Sequence, residues 1–278
     1  MTTTVDLTAK ARQIRMMTLD TIGYLGVGHI GGSLSVVDLL TVLYYKRMNI
    51  NPADPAMDGR DWFVMSKGHA GPALYCVLAD LGFFPRDWLH TLNAGGTNLP
   101  SHCDRVRTPG IDMSTGSLGQ GLSAAVGIAL AQRLDKRDNW IYACIGDGES
   151  QEGQNWEAAM TAAHYKVDRL IAFTDFNKMQ IDGYTDEVMN IERIEEKWSA
   201  FGWHTQRIDG HDLDVIDAAI EEARSVQDRP HMIILDTLKG KGAAFAEHNL
   251  GNHNMVFDYE TARKAINALE AEIGGEAV

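Results

Sequence analysis

Apolar residues recur along the chain with two different periods, and their alternation sets the expected architecture. Leu7, Ile14, Met17 and Ile22 fall close to helical spacing and predict a helix over residues 5–23. A second helix is expected over 34–45, with Ser33 as its N-cap, and a third over 71–81. Leu118, Leu122, Val126 and Leu130 stand four apart, so 117–134 reads as a helix with one apolar face. Short apolar runs at 62–65, 140–145, 170–174, 203–208 and 232–235 read as strands. Segments 151–165, 191–201, 213–226 and 259–271 read as helices between and after them. This order predicts an α/β fold, a doubly wound, mainly parallel sheet with helices on both faces. No Ser/Pro-rich linker and no internal repeat breaks it, so residues 1–278 are read as one domain.

Polar residues at the expected strand ends turn this scaffold into a candidate site. Gly146-Asp147-Gly148 follows the strand at 140–145, and Asp175-Phe176-Asn177 closes the next one. Open α/β sheets place ligands at the carboxyl ends of their strands. Asp147 and Asn177 thus offer two hard oxygens suited to Mg²⁺ or Ca²⁺, although Asp-Gly and Asn also favour plain turns. Four histidines lie in loop settings: His29 in Gly28-His29-Ile30-Gly31-Gly32, His69 in Ser66-Lys67-Gly68-His69, His102 after Pro100-Ser101, and His253 after Gly251-Asn252. Loop histidines suit proton transfer and sugar or phosphate contacts, but each taken singly is more often a surface residue. The glycine-rich opening of the 117–134 helix suits an anion, as does Lys239-Gly240-Lys241-Gly242, although a tight helix entry and a solvated turn account for them equally well.

Two strings mislead. Gly26-Val27-Gly28-His29-Ile30-Gly31 matches GxGxxG but follows a helix rather than a strand. No GxxxxGK[ST] occurs, so P-loop chemistry is not supported. Composition narrows the partners further. Acidic residues outnumber basic ones by 38 to 25, for a net charge of -13, so neither nucleic acid nor an anionic membrane is expected as a partner. No apolar run is long enough to span a bilayer, and no signal peptide is read at the N-terminus. The three cysteines form no CxxC pair and fit a reducing cytoplasm.

In their order and spacing these motifs resemble the transketolase family of thiamine diphosphate enzymes. The resemblance runs from about residue 10 to 255. It rests on Gly-Asp-Gly at 146–148 with Asn177, on Gly-His-x-Gly-Gly-Ser at 28–33, on Ser-Lys-Gly-His-Ala at 66–70 and on Thr-Gly-Ser-Leu-Gly-Gln-Gly at 115–121. It implies the family's diphosphate-binding domain, with the pyrimidine-binding domain expected on a separate chain. It implies Mg²⁺, or Ca²⁺ in its place, held by Asp147, Asn177 and the carbonyl of Met179. It further implies thiamine diphosphate contacts at Lys67, His69, Gly116, Ser117, Leu118, Gly146, Asp147, Gly148, Asn177, Lys239 and His253. His29, His102 and His253 would line the substrate channel, with His69 beside them, and Glu152 looks like the family's dimer-interface acid in the catalytic assembly.

The implied activity is transfer of a two-carbon ketol unit from a ketose, expected to be phosphorylated, to an aldose. It would require a C-terminal partner subunit, in a heterotetramer of two of each chain. Alternatives are another thiamine diphosphate reaction, namely a 1-deoxyxylulose-phosphate-type condensation or a 2-oxo acid decarboxylation, or a non-catalytic binding or regulatory subunit. The chain departs from the family pattern at Ile30, at Ser101-His102-Cys103 and at His253-Asn254, all bordering the expected substrate channel. These departures leave the metal and cofactor positions intact and point to an altered sugar preference.

Overall fold

The computed structural model describes residues 5–275; the one-domain reading of 1–278 runs past the described residues at both ends. Along the chain the strands are β1 (Val27–Gly28), β2 (Trp62–Met65), β3 (Ile141–Gly146), β4 (Leu170–Phe176), β5 (Met179–Gln180), β6 (Gly183–Tyr184), β7 (His204–Asp209), β8 (His231–Asp236) and β9 (Met255–Val256). The helices are α1 (Leu7–Leu25), α2 (Ile30–Leu34), α3 (Val37–Val42), α4 (Gly71–Leu81), α5 (Gln120–Leu134), α6 (Gly153–His164), α7 (Thr185–Val188), α8 (Ile194–Ala200), α9 (Leu213–Ser225) and α10 (Tyr259–Gly275).

The central sheet has five strands in the order β2-β3-β4-β8-β7, with every neighbouring pair parallel. Both of its faces are covered, which explains why β3, β4 and β8 are apolar at consecutive positions. Successive side chains point to opposite faces. Tyr142, Cys144, Ile171, Phe173, Ile233 and Leu235 pack with α1, α3, α4, α9 and α10. Ile141, Ala143, Ile145, Leu170, Ala172, Met232 and Ile234 pack with α5, α6 and α8. Each fully buried Ile, Leu, Met or Phe among them contributes about 1.5–3 kcal/mol, so the two layers hold the sheet that the site depends on.

Local chemistry sets the helix limits. Asp6 caps α1 by accepting the Ala9 N–H at 3.1 Å, and Gly26 ends it in the left-handed conformation at φ 83°. Asp212 caps α9 through the N–H groups of Asp214 and Val215.

Two expectations are corrected. The helix over 34–45 is broken, and Ser33 is not its cap. Ser33 lies inside α2, and its hydroxyl donates to the His29 carbonyl at 2.7 Å. The chain leaves helix after Leu34 because the Arg15 guanidinium takes the Leu34 carbonyl at 2.7 Å, while the Ser35 hydroxyl donates to Asp175 at 2.7 Å. Beyond α3 the chain widens into a π turn over Leu43–Arg47. The other correction is at the start of 117–134. Gly119 adopts φ 87°, a left-handed conformation that a side chain would strain, so α5 starts only at Gln120. Leu118 therefore lies outside the helix and is exposed, whereas Leu122 and Val126 are buried as the spacing predicts.

Candidate functional site

Four neighbouring strands of the sheet deliver the candidate residues at one edge. β2 leads into Ser66-Lys67-Gly68-His69, β3 into Asp147, β4 into Asn177, and β8 into Thr237-Leu238-Lys239. Parallel pairing aligns these ends, with Gly146 opposite Asp175 and Phe176 opposite Asp236.

At the centre is an ion pair that the sequence reading did not assign. Lys67 is 2% exposed and Asp175 fully buried, and the ammonium binds the Asp175 carboxylate directly. Asp175 also accepts from the Ser35 hydroxyl, the Asn177 amide at 2.9 Å and the Thr237 hydroxyl. Burial opposes its charge, but Lys67 and these donors outweigh that and hold its pKa below the usual carboxylate range. Burial likewise opposes the charge on Lys67, and Asp175 outweighs it, so the lysine stays protonated.

Asp147, Asn177 and Met179 lie next to this pair, Asn177 through its bond to Asp175. Asp147 is 2% exposed, and its carboxylate accepts the Gly148 N–H at 2.7 Å and the Lys178 N–H. Asn177 accepts the Met179 N–H at 3.1 Å through its side-chain oxygen. The Met179 carbonyl accepts from the Lys239 ammonium at 3.0 Å. Burial, and then the like charge of Asp175, raises the Asp147 pKa. Lys239 offsets this only in part, and a divalent cation would supply further positive charge. The oxygen donors present therefore fit a Mg²⁺-type ion, which prefers such ligands and completes its shell with phosphate. Among the described residues no cluster of three or more His, Cys, Asp or Glu is arranged to hold a metal, so any ion here relies on the amide and backbone oxygens.

The four loop histidines converge. The His29 ring centroid lies 5.3 Å from that of His69, 5.5 Å from His102 and 5.5 Å from His253, and His69 lies 4.9 Å from His253. β1, which leads into His29, pairs with β9, which follows His253, and this pairing brings the two ends of the chain to one place. The Lys239 ammonium donates to His253 Nδ1 at 3.2 Å. Burial lowers the His29 pKa to about 4 and the His253 pKa to about 3, helped by their charged neighbours. His69 falls well below its usual value and His102 is lowered too, both mainly through burial. At neutral pH the cluster is therefore uncharged, while Lys67 supplies positive charge beneath it.

Gly116 lies against His102, since a Cβ there would stand 3.1 Å from the ring. Ser117 and Leu118 are exposed beside it. Glu152 is exposed next to Gly119, outside the buried network. Gly146 and Gly148 flank Asp147, each half-buried.

Besides Asp175 and Ser35, the sequence reading missed Glu149. It is 2% exposed and accepts the N–H groups of Gly119 and Gly146. No periodicity marks these residues; only its place in the Gly-Asp-Gly-Glu run distinguishes Glu149 from a surface acid.

Comparison with known proteins agrees with this geometry. Residues 7–270 match the family described as "Transketolase, thiamine diphosphate binding domain". The chain is 57% identical over 268 residues to a 6-deoxy-6-sulfo-D-fructose transketolase subunit, SqwG, from a Clostridium species, covering 96% of this chain and 98% of that one. It is 38% identical to one of the apulose-4-phosphate transketolase subunits of Actinobacillus succinogenes, covering 95% of each. Among solved structures, a transketolase variant from Pichia stipitis superposes with a TM-score of 0.89 at 32% identity. That match covers 95% of this chain and 41% of the Pichia chain, so this chain spans about two fifths of that longer enzyme.

Proposed function

Because the chain belongs to the transketolase family, we propose that it is the diphosphate-binding subunit of a two-chain transketolase that moves a two-carbon ketol unit from a ketose to an aldose. The observation that carries this reading is the meeting of four uncharged histidines with Lys67, Lys239 and the Asp147–Asn177 oxygens at the ends of neighbouring strands.

In this reading Asp147, Asn177 and the Met179 carbonyl hold Mg²⁺, with Ca²⁺ as a substitute. Lys67, His69, Lys239, His253 and the backbone around Gly148 face the diphosphate, and Gly116, Ser117 and Leu118 face the rings of the cofactor. Thiamine diphosphate, when bound, supplies the electron sink that lets a ketose carbon–carbon bond break. The chain's own contribution is to orient substrate and move protons. An ammonium has only N–H donors, so His253 Nδ1 must accept from Lys239, which leaves Nε2–H to donate to a substrate hydroxyl. His29 and His102, kept uncharged by burial, can take a hydroxyl proton and return it.

A C-terminal partner chain carrying the pyrimidine-binding domain completes the site, in an assembly of two of each chain, and the exposed Glu152 faces that partner. Three buried, unpaired thiols, Cys76, Cys103 and Cys144, support a reducing compartment, the cytoplasm. No described helix is long and apolar enough to cross a membrane. The names of the relatives carry the donor class to this chain: a ketose ending in an anionic group, with 6-deoxy-6-sulfo-D-fructose first and apulose 4-phosphate second.

The test is an assay of the chain co-purified with its partner. Ketol transfer from 6-deoxy-6-sulfo-D-fructose to an aldose phosphate, dependent on both thiamine diphosphate and Mg²⁺, is the expected result. Decarboxylation of a 2-oxo acid without ketol transfer would overturn the reaction class.

A further inference from the structure

Glu149 sits beneath three segments that the proposed function assigns to the cofactor, and it bonds to each of them. One oxygen, Oε1, accepts the Ser66 hydroxyl, from the segment holding Lys67 and His69, and the Gly119 N–H at 2.9 Å, from the end of the 116–118 segment. Oε2 accepts the Gly146 N–H at 3.1 Å, from the Gly-Asp-Gly turn. The backbone of Glu149 is itself pinned, since the fully buried Asn155 donates to its carbonyl at 2.6 Å from the first turn of α6. Two of the segments also touch each other closely. A Cβ on Gly121 would stand 2.3 Å from Ser66 Oγ, so the start of α5 rests directly on Ser66. A buried carboxylate is costly unless it is hydrogen-bonded, and here donors from three separate parts of the chain offset part of that cost.

We propose that Glu149 is a positioning residue: it fixes the mutual spacing of the 66–69, 116–119 and 146–148 segments before the cofactor arrives. Loops already held in their bound arrangement lose less entropy on binding, and that difference appears as affinity. The inference rests on the thiamine diphosphate reading of the site.

The test uses the full chain co-purified with its partner and the variant Glu149→Gln. Glutamine keeps one acceptor oxygen but turns its NH₂ toward the Gly146 N–H, so one buried donor loses its partner. Thiamine diphosphate binding in the presence of Mg²⁺, followed by calorimetry, is expected to weaken roughly tenfold, because the loosened segments must then be ordered when the cofactor binds. The apparent KM for the cofactor rises by a similar factor, and kcat at saturating cofactor falls by much less. The melting midpoint without cofactor shifts by less than about 4 °C, and amide exchange quickens at 66–69 and 116–121. Ser66→Ala removes one bond from the other side, should weaken binding in the same direction, and decides the matter where Glu149→Gln does not fold. Cofactor affinity within twofold of wild type in the folded variants overturns the proposal. A wild-type complex that binds no thiamine diphosphate overturns the functional reading itself, and this inference with it.

Discussion

Lys67 and Asp175 are 108 residues apart and form an ion pair almost wholly withdrawn from solvent, with side chains 2% and 0% exposed. The pair sets the floor of the site. Asp175 orients Asn177 through the amide at 2.9 Å, while Lys67 also donates to the Gly32 carbonyl at 2.9 Å in the turn after His29.

Breaking this pair from one side should be costly. Lys67→Met leaves Asp175 buried without its cation, a loss of about 3–5 kcal/mol. The expected outcome is a large drop in melting midpoint or loss of soluble protein. The double variant Lys67→Met/Asp175→Asn removes both charges and should recover much of the stability without recovering cofactor binding. A double variant no more stable than Lys67→Met would show that the charge pairing is not what matters.

Asp147 should behave in the opposite way. Burial and the nearby Asp175 disfavour its charge, so Asp147→Asn relieves repulsion while misplacing one donor against a backbone N–H. The cofactor-free melting midpoint should stay within about 4 °C of wild type. The rise in midpoint on adding Mg²⁺ and thiamine diphosphate should vanish. Retention of that rise would remove Asp147 from the metal set.

The histidine cluster predicts a pH dependence with a definite sign. Unfolded histidine takes a proton near pH 6.5, whereas folded His29 does so at about 4 and folded His253 at about 3. As pH falls through this interval the unfolded chain binds more protons than the folded one, so stability decreases. The melting midpoint should fall between pH 6.5 and 5, with the four lowered histidines outweighing Asp147, whose raised pKa favours the folded state as pH falls. The fall should be shallower in His29→Asn and His253→Asn, and equal slopes in wild type and variants would contradict the assignment.

His29→Asn and His102→Asn should separate chemistry from binding. Proton transfer by a positioned side chain contributes about 10²–10⁴-fold, so ketol transfer by the complex should fall by at least about 10²-fold. Cofactor affinity, read by calorimetry, should change far less, because neither ring is among the diphosphate contacts. A parallel loss of affinity and rate would place these rings on the cofactor instead.

Much of the scaffold can be read directly along the chain. Apolar runs such as 140–145 have too few polar positions to face water, so they must be strands covered on both sides. Gly146-Asp147-Gly148 and Asn177 announce ligand positions because they follow such runs. The same reasoning fails where a distant residue intervenes: Arg15 captures the Leu34 carbonyl and ends a helix that local spacing would continue. It fails again at Leu118, where the left-handed Gly119 removes an apolar residue from the helix whose period it shares.

The sequence by itself determined the five strands of the central sheet and most of the helices that cover it, and which loops carry histidine, lysine and oxygen ligands. Those properties depend on local period and residue chemistry. Only the tertiary structure decided the strand order β2-β3-β4-β8-β7, and with it the meeting of Lys67, Asp147, Asn177 and Lys239 along one edge. It alone singled out Asp175 and Glu149, whose partners Lys67 and Ser66 lie 108 and 83 residues away. Periodicity encodes which face of an element is buried; it does not encode which other element covers that face, and a carboxylate's role depends on the donors that reach it there.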